Sequence, residues 1–252
     1  MKLLVDIGNT RIKFALWDSG VIGEMQALAH GGDVRTSLLA MAEDLPAGVD
    51  QIMVAAVAGK KVLADLEEAL SLSASAEVLF AKTEREFQGL INSYEDPSRM
   101  GVDRWLAMIG ALGRSESPVC VVDCGSAITI DVVSRDRIHK GGYIVSGLQL
   151  AERSLLSKTE DIIVKETVSL GDVSWGTSTE QAVQMGGMMM VTDFIRSCLG
   201  RVIEQEGGLS TLVLTGGDAE SIGSHLGVEF IFAPLLVLEG LALSQGLYLG
   251  KV

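Results

Sequence analysis

Cations, thiols and imidazoles are scarce in this chain of 252 residues, and each scarcity removes a class of function. Only 20 Lys and Arg stand against 33 Asp and Glu, a formal net charge of −13. So acidic a chain repels a phosphate backbone, which argues against general nucleic-acid binding and against attachment to an anionic membrane. The three cysteines, Cys120, Cys124 and Cys198, form no disulfide or metal framework. Cys120 and Cys124 lie in an apolar, strand-like run, the usual setting of a buried thiol. His30, His139 and His225 share no ligand spacing, so no transition-metal site is expected. No uninterrupted apolar run approaches the roughly 18 residues of a membrane span. The richest, Phe230 to Leu238, contains Pro234 and stops at Glu239. The opening MKLLVDIGNT meets Asp6 before any leader-like apolar region can form. The expectation is a protein of a reducing cytoplasm.

What is present is a globular chain. Apolar residues make up 48% and charged residues 21%, proportions that argue against disorder. The length exceeds a typical domain of about 150 residues and accommodates two smaller ones. Leu3–Asp6 and Arg11–Trp17 read as a hairpin around Gly8-Asn9-Thr10. Val34–Glu43 and Val62–Leu72 have helical spacing, and Gln51–Val57 and Glu77–Ala81 read as short buried strands. Met100–Leu112 is a helix with Trp105, Met108, Ile109 and Leu112 along one face. Ser115-Glu116-Ser117-Pro118 is a polar breaker and the best boundary, dividing the chain into 1–116 and 117–252. Val119–Asp123 and Ala127–Ser134 repeat the strand-turn-strand theme. Ser178–Glu206 reads as a long helix, Thr211–Thr215 as a strand and Pro234–Tyr248 as a closing helix. The pattern is mixed α/β.

An internal echo organises this pattern. Val5-Asp6-Ile7-Gly8-Asn9-Thr10 returns near mid-chain as Val122-Asp123-Cys124-Gly125-Ser126-Ala127. Each copy is an apolar strand ending in Asp-x-Gly and small residues, followed by another apolar strand. Two halves that begin alike suggest a duplicated domain with a shared cleft.

The turn itself carries chemistry. Glycine lets a ligand approach the backbone, and exposed amides with the Asn9 and Thr10 side chains offer donors to phosphate oxygens. Lys13 supplies a point charge, and Asp6 could hold Mg²⁺, through water. A plain hairpin turn would also favour Asn and Gly, so one copy alone leaves both readings open. A second glycine pair, Thr215-Gly216-Gly217-Asp218, follows an apolar strand and permits close approach of a ring or ribose. Two phosphate-type loops and a strand-Gly-Gly element, in this order, resemble the actin-like nucleotide-binding fold of sugar kinases, chaperone ATPases and acetate kinases.

The segment Tyr94-Glu95-Asp96-Pro97-Ser98-Arg99-Met100-Gly101-Val102-Asp103-Arg104-Trp105 narrows the resemblance. With both loops it resembles type III pantothenate kinase, whose members carry a Tyr, a Pro and then Gly-x-Asp-Arg-Trp. The similarity continues through Gly141-Gly142, Gly147-Leu148, Gly176 to Thr179 with Ala182 and Gly186, Thr215-Gly216-Gly217, and Leu236 to Leu241.

The resemblance implies duplicated actin-like (ribonuclease H-like) α/β domains with an interdomain nucleotide cleft. It implies transfer of the ATP γ-phosphoryl group to the 4′-hydroxyl of pantothenate, giving 4′-phosphopantothenate and opening coenzyme A biosynthesis. By the same resemblance Asp103 accepts the hydroxyl proton. Tyr94, Gly101, Val102, Asp103, Arg104 and Thr179 hold pantothenate, with Arg104 facing its carboxylate. Asp6, Ile7, Gly8, Asn9, Thr10, Arg11, Ile12, Lys13 and Ser126 line the ATP phosphates. Asp123 binds a monovalent cation, K⁺ or NH₄⁺, and the protein is a homodimer with the acceptor site near the subunit interface. Spacing alone favours Asp103 as a complement to the dipole of its helix, with Arg104 a surface cation and Trp105 core, and the resemblance reverses that reading. An accessory or regulatory nucleotide-binding protein, or a sugar kinase of the same fold, are the alternatives.

Two positions depart from the family pattern. Ser126 stands where Thr is usual, keeping the hydroxyl but losing the methyl that restrains its rotamer. Ser146 stands where Pro often precedes Gly147, which loosens that turn. Met185, Met188, Met189 and Met190 read as core or as a dimer surface rather than a metal site. Glu67-Glu68 and Glu204-Gln205-Glu206 read as solvated helix faces.

Overall fold

A computed structural model describes residues 1–43, 45–57, 63–64, 67–68, 76–116, 118–159, 164, 175–208 and 210–250. The expected helix over Val62–Leu72 falls largely outside them. The chain forms two compact units, Met1–Arg114 with Leu235–Val252, and Ser115–Pro234.

In the first unit, β1 (Lys2–Ile7) is buried along nearly its whole length, as its run of Leu3, Leu4, Val5 and Ile7 requires of a central strand. It pairs antiparallel with β2 (Arg11–Asp18) and parallel with β5 (Gln51–Ala56). β5 continues in parallel to β6 (Glu77–Phe80), while β2 pairs with β3 (Val21–Ile22) and with β4 (Gln26–Ala29). The order is therefore β3-β2-β1-β5-β6. Helix α1 (Val34–Glu43) starts behind Asp33, whose carboxylate accepts from the Thr36 backbone N–H at 3.1 Å. Leu38 and Met41 of α1 join Leu3, Val5, Ile12 and Ile52 in one core cluster.

The second unit repeats the plan. Strand β9 (Val119–Cys124) is central, antiparallel to β10 (Ala127–Val133) and parallel to β12 (Thr211–Thr215). β11 (His139–Ser146) extends the sheet beyond β10 and β13 (Ile231–Phe232) beyond β12, in the order β11-β10-β9-β12-β13. In both sheets the first three strands meander antiparallel and the last two return in parallel on the other side of the first strand. Helix α4 (Thr179–Glu206) places Met188, Val191, Ile195, Cys198 and Val202 against this sheet, with Ile222 of α5 (Ala219–Ser224). It ends at Gly207, whose φ of 69° is the left-handed closing conformation that favours glycine. Cys120 and Cys124 are buried free thiols, as expected, and burial pushes the Cys120 thiol up to about 12.

The closing helix is shorter than the sequence suggests, α6 spanning Leu236–Ser244, and it belongs to the first unit rather than the second. It packs on α2 (Val102–Arg114), and the reason is backbone proximity at two glycines. A Cβ on Gly240 would lie 1.9 Å from the Leu106 carbonyl oxygen, and one on Gly110 would lie 2.4 Å from that of Leu236. Arg114 forms a two-pronged ion pair with Glu239, whose carboxylate is otherwise withdrawn from water at 5% exposure. Beyond α6, Tyr248 packs edge-on against Trp17, whose Nε1–H donates to the Tyr248 carbonyl at 3.1 Å. Among the described residues no helix is long and apolar enough to cross a membrane.

Candidate active site

Both Asp-x-Gly turns sit at the end of a central strand, and they differ in detail. In the first, the Gly8 N–H donates to the Arg11 carbonyl at 3.0 Å, closing a loop whose Asn9, Thr10 and Arg11 are exposed. Ile7 and Ile12 lie in the core on either side of this loop. Asp6 is only 7% exposed and stands directly opposite Lys13 across β1 and β2, so both side chains emerge on one face. A nearly buried carboxylate with a lysine at the facing strand position suits a site that takes a metal-bound phosphate.

The second turn is one residue shorter between its strands, and the Gly125 N–H donates to the Ala127 carbonyl at 3.1 Å. Thr129 stands opposite Asp123 where Lys13 stands opposite Asp6, so this copy carries a hydroxyl in place of a cation. The Asp123 Oδ1 is buried, and glycine makes room for it. A Cβ on Gly216, at φ 96°, would lie 2.4 Å from Asp123 Oδ1 and 2.5 Å from the Cys124 carbonyl oxygen. Gly147, ahead of α3 (Leu148–Leu156), is equally constrained, because its Cβ would lie 2.2 Å from the Gly125 carbonyl oxygen. The Gly147 N–H donates to the Ser126 carbonyl at 3.0 Å, so Ser146 in place of proline leaves this junction tied.

A third cluster forms around the start of α2. Asp103 lies in its first turn, and its Oδ1 accepts from the Arg104 backbone N–H at 2.8 Å. Gly101 admits that rotamer, since a Cβ there would lie 2.5 Å from the same oxygen. Val102 is buried and anchors the turn. Arg104 is not the surface cation that spacing alone allowed. It is 6% exposed, its Nη1 donates to the Tyr94 hydroxyl at 3.0 Å, and its guanidinium stands 5.8 Å from the centre of that ring. Trp105 is core, at 1% exposure.

Two residues that the sequence did not single out hold Tyr94 in place. Arg85 donates to the carbonyls of Asn92, Tyr94 and Glu95 at 3.0, 2.6 and 2.6 Å. Buried Asn92 accepts from the Tyr94 N–H at 2.9 Å and donates to the Glu84 carbonyl. Arg85 and Asn92 flank a hairpin of β7 (Glu86–Phe87) and β8 (Leu90–Ile91) that turns at Gln88-Gly89, both with positive φ. Thus Tyr94, Gly101, Val102, Asp103 and Arg104 come together within the first unit. Thr179 belongs to the second, exposed in the first turn of α4, where the Ser178 hydroxyl caps the helix by accepting from the Gln181 N–H.

Two sheets that share the order of their five main strands, each with Asp-x-Gly at the end of its central strand, define the actin-like fold. The chain resembles two solved structures of this fold with a TM-score of 0.60 each. One is a protein from Campylobacter jejuni assigned to the Baf family of transcriptional activators, 23% identical with 97% of each chain covered. The other is a protein from Sinorhizobium meliloti assigned as a 2-dehydro-3-deoxygalactonokinase, 16% identical over 97% of this chain and 98% of that one. Within this fold, the type III pantothenate kinase family model matches residues 2–201, and the chain belongs to that family. The type III pantothenate kinase of Marinobacter nauticus is 36% identical over 96% of both chains. That of Nitrosococcus oceani is 34% identical over 96% of this chain and 92% of its own.

Proposed function

We propose that this protein is an ATP-dependent pantothenate kinase that makes 4′-phosphopantothenate in the cytoplasm, at the entry to coenzyme A biosynthesis. The observation that carries this reading is the Tyr94–Asp103–Arg104 cluster, in a chain of this family. A carboxylate oriented by a backbone N–H, next in sequence to a buried arginine held by Tyr94, suits an acceptor that bears a hydroxyl at one end and a carboxylate at the other. Arg104, steadied by Tyr94, pairs with the pantothenate carboxylate, and Gly101 and Val102 leave the backbone close to the substrate. Thr179 supplies a further polar contact. Asp103 takes the proton of the 4′-hydroxyl as its oxygen bonds to the γ-phosphorus and the bond from that phosphorus to the β–γ bridging oxygen breaks. Phosphoryl transfer needs little covalent help, so the remaining residues position groups and balance charge.

Asp6 to Lys13 and Ser126 are assigned to the ATP phosphates. Asp6, nearly buried and facing Lys13, suits Mg²⁺ held through water, and Asp123 Oδ1 in the Gly216 cradle suits K⁺ or NH₄⁺. When bound, these ions neutralise phosphate charge that a chain of net charge −13 would otherwise repel. A homodimer accords with the apolar surface on the second unit. Tyr143 and Ile144 of β11, Leu150 of α3, and Met189 and Met190 of α4 are all exposed. Met185 and Met188 of the same helix are buried, so the methionine cluster serves both core and surface.

The test is a coupled assay with pantothenate, ATP, Mg²⁺ and K⁺. Turnover to 4′-phosphopantothenate is expected, with chelation of Mg²⁺ abolishing it and omission of K⁺ and NH₄⁺ lowering it. No turnover with any monovalent cation refutes the kinase and returns the accessory role. Turnover of sugars in preference to pantothenate points to the sugar-kinase alternative.

A further inference from the structure

The two nucleotide-type loops differ in what lies behind them. β4 pairs with β2 so that Arg11 faces Ala29, which sets His30 opposite Thr10. In the second unit β11 pairs with β10 so that Ala127 faces Ser146, which sets Gly147 opposite Ser126. One backbone bond is common to both places. The His30 N–H donates to the Thr10 carbonyl at 3.3 Å, as the Gly147 N–H donates to that of Ser126 at 3.0 Å. Gly147 has no side chain to add anything. His30 has an imidazole, 8% exposed, and both of its nitrogens are engaged.

Nε2 lies 3.1 Å from the Gly8 carbonyl oxygen, and Nδ1 lies 3.1 Å from the Gly32 amide nitrogen. A carbonyl only accepts and an amide N–H only donates, so the network requires the neutral tautomer with the proton on Nε2. In a planar trans peptide the N–H points opposite to the C=O. Fixing the Gly8 carbonyl on the imidazole therefore turns the Asn9 N–H away from it, in a loop whose Asn9 and Thr10 are exposed. Glycine makes this peptide easy to flip. A flipped Gly8–Asn9 peptide would present an oxygen to an anion in place of a donor.

We infer that His30 is a positioning residue for ATP, holding the Gly8–Asn9 peptide with its N–H toward the phosphates. This rests on the reading that the Gly8-Asn9-Thr10 loop holds the nucleotide. Two substitutions separate the imidazole's bonds. His30→Asn puts an oxygen near the place of Nδ1 and keeps the Gly32 bond as a local turn, but cannot reach Gly8. His30→Gln puts an amide nitrogen near the place of Nε2 and keeps the Gly8 bond, but gives up Gly32.

Expected for His30→Asn is a KM for ATP raised about fivefold or more, with the KM for pantothenate within about twofold of the native enzyme. His30→Gln is expected to recover the ATP KM even where its unfolding temperature falls as far as that of His30→Asn. A merely structural role would make the ATP KM follow stability in both. Equal ATP KM values in the two variants, or a native-like value in His30→Asn, overturn the inference. Should His30→Asn not fold, the imidazole ¹⁵N spectrum of the native enzyme decides, and an Nδ1–H or doubly protonated ring overturns it. Lys13→Ala separates the two levels. If it raises the ATP KM and His30→Asn does not, only the role of His30 fails; if neither moves it, the loop assignment fails and His30 with it.

Discussion

At the scale of single residues, the site is shaped as much by missing side chains as by present ones. Gly101 leaves space for the Asp103 carboxylate, and Gly216 for that of Asp123. Asp103 is the residue on which the proposed chemistry turns. Asp103→Asn keeps the shape, and the amide oxygen still accepts from the Arg104 N–H, but the group no longer takes a proton. We expect kcat to fall by about 10²–10⁴ with an unchanged unfolding temperature. A near-normal kcat in a steady-state assay contradicts the assignment of Asp103 as proton acceptor. The sequence points to this residue through its Gly-x-Asp-Arg-Trp motif. It could not identify Arg85 or Asn92, because their role is to bond backbone carbonyls and amides, and such bonds leave no spacing pattern.

At the scale of elements, the crossing of α2 and α6 determines how the chain is divided. The polar stretch after Arg114 lies where a helix ends and a strand begins. It does not reveal that the chain returns at Leu235. That return depends on Gly110 and Gly240, which let two helix backbones touch, and on Arg114 reaching Glu239. A methyl group at position 240 would overlap the Leu106 carbonyl, so Gly240→Ala must push the helices apart. The expected loss is about 1–3 kcal/mol of stability, read from chemical denaturation. An unchanged midpoint would mean that the crossing is looser than these distances indicate. β11 leaves little trace in the sequence for a related reason. Gly141 and Gly142 weaken its strand pattern, and pairing with β10 supplies what propensity does not.

At the scale of the whole molecule, duplication has produced two sheets of one topology with unequal loops. Lys13 and His30 belong to the first copy, and Thr129 and Gly147 take their places in the second. This asymmetry accords with one loop serving charged phosphates and the other a monovalent ion. The exposed face of β11, α3 and α4 makes a further prediction. Ile144→Lys, placing a charge in that apolar surface, should convert a dimer to a monomer in sedimentation velocity while leaving each subunit folded. A dimer that survives the change is built on a different surface.

Residue type and spacing alone carry the α/β class, the family, the two Asp-x-Gly turns and the Gly-x-Asp-Arg-Trp motif. The turns and the motif each occupy a few consecutive positions, while the class and the family rest on such short patterns following one another in order along the chain. The acidic composition was equally plain, although its partial origin in site carboxylates such as Asp6, Asp103 and Asp123 emerges only with their proposed roles. Tertiary structure alone decided that Arg104 is buried against Tyr94 and that the last helix returns to the first unit. It also decided that His30 stands behind the first loop. These depend on contacts between positions far apart in the chain, where strand register and the close approach of backbones, rather than local pattern, select the neighbours.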